Sequence, residues 1–181
     1  MSRKPRHSCF DYAIYMMGRR PFSEKEMQAK LLQKHYAEEE VAETMARLNE
    51  LGYLNDAKFA AERVRSRAEL YGWGAQRIKQ ELKQKGVDSV TVTQAVEVFE
   101  EGNADEGKDP HDWQQKADDL LARKFGVWPE ELIPDPDESY DWEAKQQHMK
   151  EVQKEKQRRL NFLIRRGFSY EQAQQALFKQ L

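Results

Sequence analysis

Two stretches of this chain, ELKQKGVDSVTVTQAV (Glu81 to Val96) and FLIRRGFSYEQAQQAL (Phe162 to Leu177), share few identities but one grammar. Each runs from an apolar-periodic segment through basic residues to a glycine. An apolar residue and a small polar residue follow, and then a second apolar-periodic run. An earlier copy fits the same frame. Leu31, Leu82 and Leu163 correspond, as do Tyr36, Val87 and Phe168, then Val41, Val92 and Ala173, then Met45, Val96 and Leu177. The pattern is that of a helix, a stop, an apolar staple, a cap and another helix. Gly86 and Gly167 supply the positive φ that ends a helix. Lys85, Arg165 and Arg166 sit in last turns, where cations complement the helix dipole. The first copy departs from the pattern: His35 stands where the glycine is expected, so it either adopts the left-handed conformation at some cost or the turn is made differently.

Helical signals fill the intervening chain. Ser23 and Glu26 form a capping-box pattern, with Phe22 placed to staple onto Met27 over a helix from Glu24 to about Lys34. A helix over about Glu38–Glu50 carries Val41, Met45 and Leu48 on one stripe, and Gly52 ends it. Asn55 is the expected cap of a helix reaching about Leu70, with Leu54 placed to staple onto Phe59. The YGWG stretch (Tyr71–Gly74) breaks that helix, and the next runs from Ala75 to Lys85. Asp88 caps a segment, SVTVTQAVEVF, whose β-branched residues favour strand; its spacing matches the other copies, so helix is expected. Residues 101–111 have linker composition. Helix is expected again over Asp112–Phe125, from about Glu143 to Arg166, and after the Ser169–Gln172 cap.

Each copy of the motif is preceded by one more helix, so the expected fold is all-α: three tandem three-helix repeats forming an elongated, curved array. The repeats span 1–52, 53–101 and 102–181, with an acidic, proline-rich insert near 126–142 read as a loop. Each unit is expected to be too small to bury its own core and to lean on its neighbour. With 39% apolar and 34% charged residues, the composition suits short helices that each bury one stripe. No apolar run is long enough to span a membrane. The start MSRKPRHSCF lacks the apolar core of a secretory signal, and the single cysteine, Cys9, suits a reducing compartment. A cytoplasmic protein is expected, and a monomer is adequate.

The net charge of −2 hides an asymmetry. From Glu100 to Glu143 the net charge is −11; residues 1–99 carry +3 and residues 144–181 carry +6. Basic faces therefore alternate with one acidic segment. The candidate basic surface comprises Arg63, Arg65 and Arg67 on one helix, Arg77, Lys79, Lys83 and Lys85 on the next, and Arg158, Arg159, Arg165 and Arg166 near the C-terminus. Tyr71 and Trp73 interleave with the central cluster as candidate stacking or partner contacts. Repeated basic faces suit a long anionic partner, with phosphate contacts giving affinity without sequence reading. Catalysis has little support. His7, His35, His111 and His148 are scattered, no glycine-rich phosphate loop follows a strand, and Asp118-Asp119 and Glu130-Glu131 suit a solvated face. No enzyme activity, metal or cofactor is expected. A general DNA-binding protein and a helical protein-binding adaptor are the alternatives.

The stretches R-x-x-S-x-x-E-M-x-x-K-L (Arg20–Leu31), L-x-x-L-G-Y-L-N-D (Leu48–Asp56), F-A-x-x-x-V-R-S-R (Phe59–Arg67), YGWGAQRIKQELKQKGV (Tyr71–Val87) and FLIRRGFSYEQ (Phe162–Gln172) together resemble the RecX family, bacterial regulators of the recombinase RecA. The resemblance covers most of residues 10–100 and 145–181. It implies three tandem three-helix repeats and a modulator that binds RecA or RecA–DNA filaments, in their groove or at their ends. Such a protein restrains strand exchange, ATP hydrolysis and the co-protease activity behind the SOS response. Arg63, Arg65, Arg67, Arg77, Lys79, Lys85, Arg165 and Arg166 match the family's basic positions. Two departures stand out: the long insert, and the missing glycine at position 35.

Overall fold

The computed structural model describes residues 7–102, 111–133 and 142–181. Among them every regular element is helical: α1 (Cys9–Met17), α2 (Glu24–Gln33), α3 (Glu38–Glu50), α4 (Asp56–Glu69), α5 (Ala75–Gln84), α6 (Ser89–Glu101), α7 (Trp113–Phe125), α8 (Trp142–Arg166) and α9 (Tyr170–Phe178), with one 3-10 turn at Glu130–Leu132. Parts of the expected linker and insert, 103–110 and 134–141, lie outside the described residues.

The repeated motif has a common mechanism. At Gly52, Gly86 and Gly167 the backbone takes φ of 69°, 86° and 94°. The next residue then donates its N–H back five positions: Tyr53 to Leu48 O, Val87 to Leu82 O and Phe168 to Leu163 O. This bond satisfies a carbonyl left unpaired at the helix end. It also draws the apolar residue after the glycine against the helix, and Val87 and Phe168 are buried there. His35 resolves the exception by adopting the left-handed conformation itself, at φ 64°.

Capping is local and largely as expected. The side chains of Ser23, Asn55, Asp88 and Ser169 all accept first-turn N–H groups. Ser169 and Gln172 complete a reciprocal box. Ser23 forms only its half, because the Glu26 carboxylate is drawn to Arg20 and Lys85 instead. The β-branched segment is helical: Asp88 caps it, and Val92, Ala95, Val96 and Phe99 face the core, so burial against α4 outweighs strand propensity.

The cores divide unevenly. Units two and three share one buried cluster, running from Phe59 and Val64 through Ile78, Leu82 and Val96 to Trp113, Leu121, Leu163 and Ala173. The first unit is different from expectation, because it buries a separate cluster of its own around Met27, Leu31, Val41 and Leu48. Leu54 belongs to that first cluster and Phe59 to the second, so the pair expected to staple across Asn55 serves two cores. Polar contacts join the first unit to the second. Ser23 Oγ donates to Lys85 O, Lys85 Nζ reaches Glu26 at 3.2 Å, and Glu24 N donates to Asp56 Oδ1 at 2.9 Å.

A left-handed non-glycine residue costs about 1–2 kcal/mol, and a new glycine costs about 0.4–1 kcal/mol through the unfolded chain. His35→Gly is therefore expected to raise stability by roughly 0.5–1 kcal/mol. Urea unfolding of the two chains checks this.

Candidate nucleic-acid interface

The site begins where α8 ends and α5 begins. Gly74 N donates to Arg166 O at 2.8 Å, and Gln76 N donates to Gly167 O at 3.0 Å. Carbonyls left over at the C-terminus of α8 thus meet N–H groups left over at the N-terminus of α5, and the opposed ends of the two helix dipoles face each other. The backbones approach closely because both residues are glycine. A Cβ on Gly74 would strike the carbonyl of Gly167, and a Cβ on Gly167 would strike the backbone and side chain of Arg77. Two arginines bind the joint from outside. Arg166 Nη1 donates to Tyr71 O at 2.7 Å, and Arg77 Nη1 donates to Arg165 O at 3.3 Å.

Beside this joint opens a groove of ≈ 540 Å³ that spans units two and three. Five cations line it: Arg77, Lys124, Arg158, Arg165 and Arg166. Phe125 and Phe162 form its apolar part, edge to face at 5.4 Å, and Asn161 completes it. Among the described residues no carboxylate lines the groove. Lys124 and Arg165 are exposed, and neither side chain makes an ion pair among the described residues. Arg158 is 67% exposed and pairs with Glu155 at 3.2 Å, a contact that leaves the guanidinium largely in solvent. The arrangement offers spare positive charge next to aromatic surface, the combination that holds single-stranded nucleic acid.

The expected basic residues separate into two groups. Arg77, Arg158, Arg165 and Arg166 come together in the groove. The α4 arginines do not join them. Arg67 forks onto Glu81 at 2.7 and 2.9 Å and lies between the rings of Tyr71 and Trp73. Arg63 approaches the same carboxylate at 3.7 Å, and Arg65 lies 3.8 Å from Glu69. Lys85 ties the first unit to the second through Glu26. Lys83 is exposed and Lys79 half-buried, and neither has an ion pair among the described residues. Trp73 already carries Arg77 at 3.8 Å and Arg67 at 4.8 Å, while Tyr71 is exposed.

Arg159 is not on the surface. It is 1% exposed and sits among Glu155 at 2.9 Å, Val127 O at 3.1 Å, Gln180, and the rings of Phe125 and Trp128. It holds the start of the expected loop against α8, and Trp128 is buried with it. Residues 126–133 are thus docked on the third unit. Asp118 departs from the expected solvated face as well: it is half-buried and accepts from Gln114 and Lys179.

Lys124, Phe125 and Phe162 were not singled out from the sequence as site residues. A signal existed: Lys124 occupies the last turn of α7 and Phe162 lies inside the repeated motif, four residues before Arg166. Their meeting depends on how α7 packs on α8, which no local pattern states.

Comparison with known proteins covers all three units. Sequence profiles described as the first, second and third three-helix domains of RecX match residues 9–48, 55–96 and 142–177. The third match takes in α8 and most of α9 and leaves α7 and the insert outside. Regulatory protein RecX from Vibrio vulnificus is 32% identical over 174 residues, covering 96% of this chain and 93% of that protein. Regulatory protein RecX from Mannheimia succiniciproducens is 35% identical over 117 residues, covering 64% of this chain and 69% of that protein. The crystal structure of RecX from Lactobacillus salivarius has a similar fold, with a TM-score of 0.65 over 95% of this chain and 94% of that one at 18% identity.

The ionic contacts around the site make stability depend on acid. Burial pushes the Glu81 carboxyl up, but hydrogen bonds from Arg67 and the charges of Arg63, Arg67 and Lys85 outweigh it and hold the group below the usual carboxylate range. Glu155 is lowered in the same way, burial being outweighed by Arg159 and Arg158. A carboxylate depressed on folding stabilises above its unfolded value of about 4.3, and that contribution is lost as pH falls through the folded value. Stability is therefore expected to fall steeply below about pH 4.3. Glu81→Gln is expected to lower stability at neutral pH and flatten the acid limb. Urea midpoints measured from pH 7 to pH 3 check both.

Proposed function

Since this chain belongs to the RecX family of regulatory proteins, we propose that it binds RecA–DNA filaments and restrains the recombinase, using the groove between its second and third units to hold DNA. One observation carries the reading: among the described residues, five cations and two phenylalanines line one groove without a carboxylate. Cations engage phosphate regardless of sequence, and aromatic surface, here the half-buried rings of Phe125 and Phe162, accommodates bases whatever their identity. Such a site suits a protein that must act anywhere along a coated strand. Nothing in the groove resembles a base-reading helix, so the DNA contact is expected to be non-specific.

Inhibition needs more than affinity. A ligand shifts a filament between states only by binding one of them better. Three units in a row offer a way to do this, because a chain that spans neighbouring subunits senses their spacing. The first unit has its own core and a polar joint to the rest. In this reading it contacts RecA while the second and third units hold DNA. A DNA-binding protein without a recombinase partner would leave the first unit no such task.

The test is RecA ATPase on single-stranded DNA, titrated with this protein at several salt concentrations. Lys124→Ala, Arg158→Ala and Arg165→Ala together are expected to weaken DNA binding and inhibition. Three lost phosphate contacts are expected to reduce the salt slope of DNA binding by about 2. Unchanged inhibition with an unchanged slope contradicts the assignment. Retention of the protein on RecA in the absence of DNA separates this function from general DNA binding.

A further inference from the structure

A second surface lies outside the cationic groove. Between α8 and α9 runs an open trough of ≈ 620 Å³ with a mostly apolar lining that includes Leu160, Tyr170, Leu177, Phe178 and Leu181. Phe178 is 78% exposed, and Tyr170 and Leu181 are also largely exposed. Two further exposed apolar residues lie beyond the trough on α8. At 100° per residue, Trp142 and Met149 fall on the same line of the helix as Gln153, Lys156 and Leu160, three residues that line the trough. Trp142 is 68% and Met149 62% exposed. The line runs about 27 Å, the length of some five helical turns. Exposed apolar side chains grouped on one face and rimmed by polar residues mark a site of interaction.

The polar residues at the trough indicate its occupant. Lys156 and Lys179 supply its charges, three glutamines supply its neutral hydrogen-bonding groups, and no carboxylate among the described residues lines it. Lys156 has no ion pair among the described residues, and Lys150, further up α8, is exposed in the same condition. Lys179 pairs with Asp118, outside the lining. A second copy seated by two-fold symmetry would bring together two copies of one surface carrying the same sign of charge, which like-charge repulsion opposes. We propose that the α8–α9 trough, with the Trp142–Met149 strip leading into it, binds an acidic amphipathic helix of another protein, whose apolar face fills the trough and whose carboxylates meet the lysines.

A labelled peptide of about five turns, with leucine at helical spacing and glutamate elsewhere, tests this against the full chain by fluorescence anisotropy. A twin with lysine in place of glutamate is the control. The glutamate peptide is expected to saturate, to gain helicity on binding and to bind at least about tenfold more tightly than its twin. Phe178→Ser with Tyr170→Ser is expected to weaken it by about tenfold or more without moving the unfolding curve, since both side chains are largely exposed. Equal affinity for the two peptides overturns the proposal, as does indifference to the double variant. A dimer that the double variant dissolves also overturns it, by assigning the trough to a second copy. So does partition onto phosphatidylserine vesicles without peptide binding.

Discussion

Units two and three are held in register by a contact that contains no side chain. Gly74 and Gly167 lie against one another, and the first N–H groups of α5 bond the last carbonyls of α8. Each helix end would otherwise leave polar groups to be satisfied by water or a cap. Joined, they satisfy each other and align two dipoles favourably. Much else rests on that joint. Arg77 and Arg166 reach across it, Trp73 is held beside it, and the cationic groove opens along it. The apolar counterpart lies at the other end of the shared core. There Phe99 packs on His111 and Trp113, and Trp113 Nε1 donates to Glu100.

The joint gives several arginines two roles. Arg166 and Arg77 bond backbone carbonyls through Nη1, lie over the rings of Phe162 and Trp73, and also line the groove. Arg67 and Arg159 have been drawn into structure, one against Glu81 and the other beside Trp128. Arginine serves this purpose where lysine would not, because its planar fork spreads donors over several acceptors while its face packs on rings. The basic surface is consequently narrower than the count of basic residues suggests, and its charge is concentrated between α5, α7 and α8.

Much of the fold was legible because its instructions are local. Asn55, Asp88 and Ser169 cap the helices that their spacing announces, and Gly52, Gly86 and Gly167 stop the ones before them. Even the missing glycine marked a genuine anomaly, which His35 resolves by adopting positive φ. What escaped was relational. Gly74 reads as a helix breaker in sequence, and its role as a contact depends on a glycine far away in the chain. Arg159 reads as one basic residue among many, since Val127, Trp128 and Gln180 reach it from two other segments. The separate core of the first unit was equally invisible, because apolar periodicity shows which face is buried and not what covers it. The candidate site was therefore half legible: four of its five cations were recognised, and Lys124 and the joint that gathers only some of the basic residues were not.

The most direct measurement changes the joint without touching a charge. Gly74 has ordinary φ, so alanine there introduces no backbone strain, only a methyl group aimed at the Gly167 carbonyl. Overpacking of this kind costs about 1–3 kcal/mol. Binding of labelled single-stranded DNA by Gly74→Ala should be compared with the unaltered chain under conditions where both are folded. If the joint assembles the groove, affinity falls although every cation remains, and units two and three lose stability together. Unchanged DNA affinity in a chain whose joint has been weakened would contradict the account.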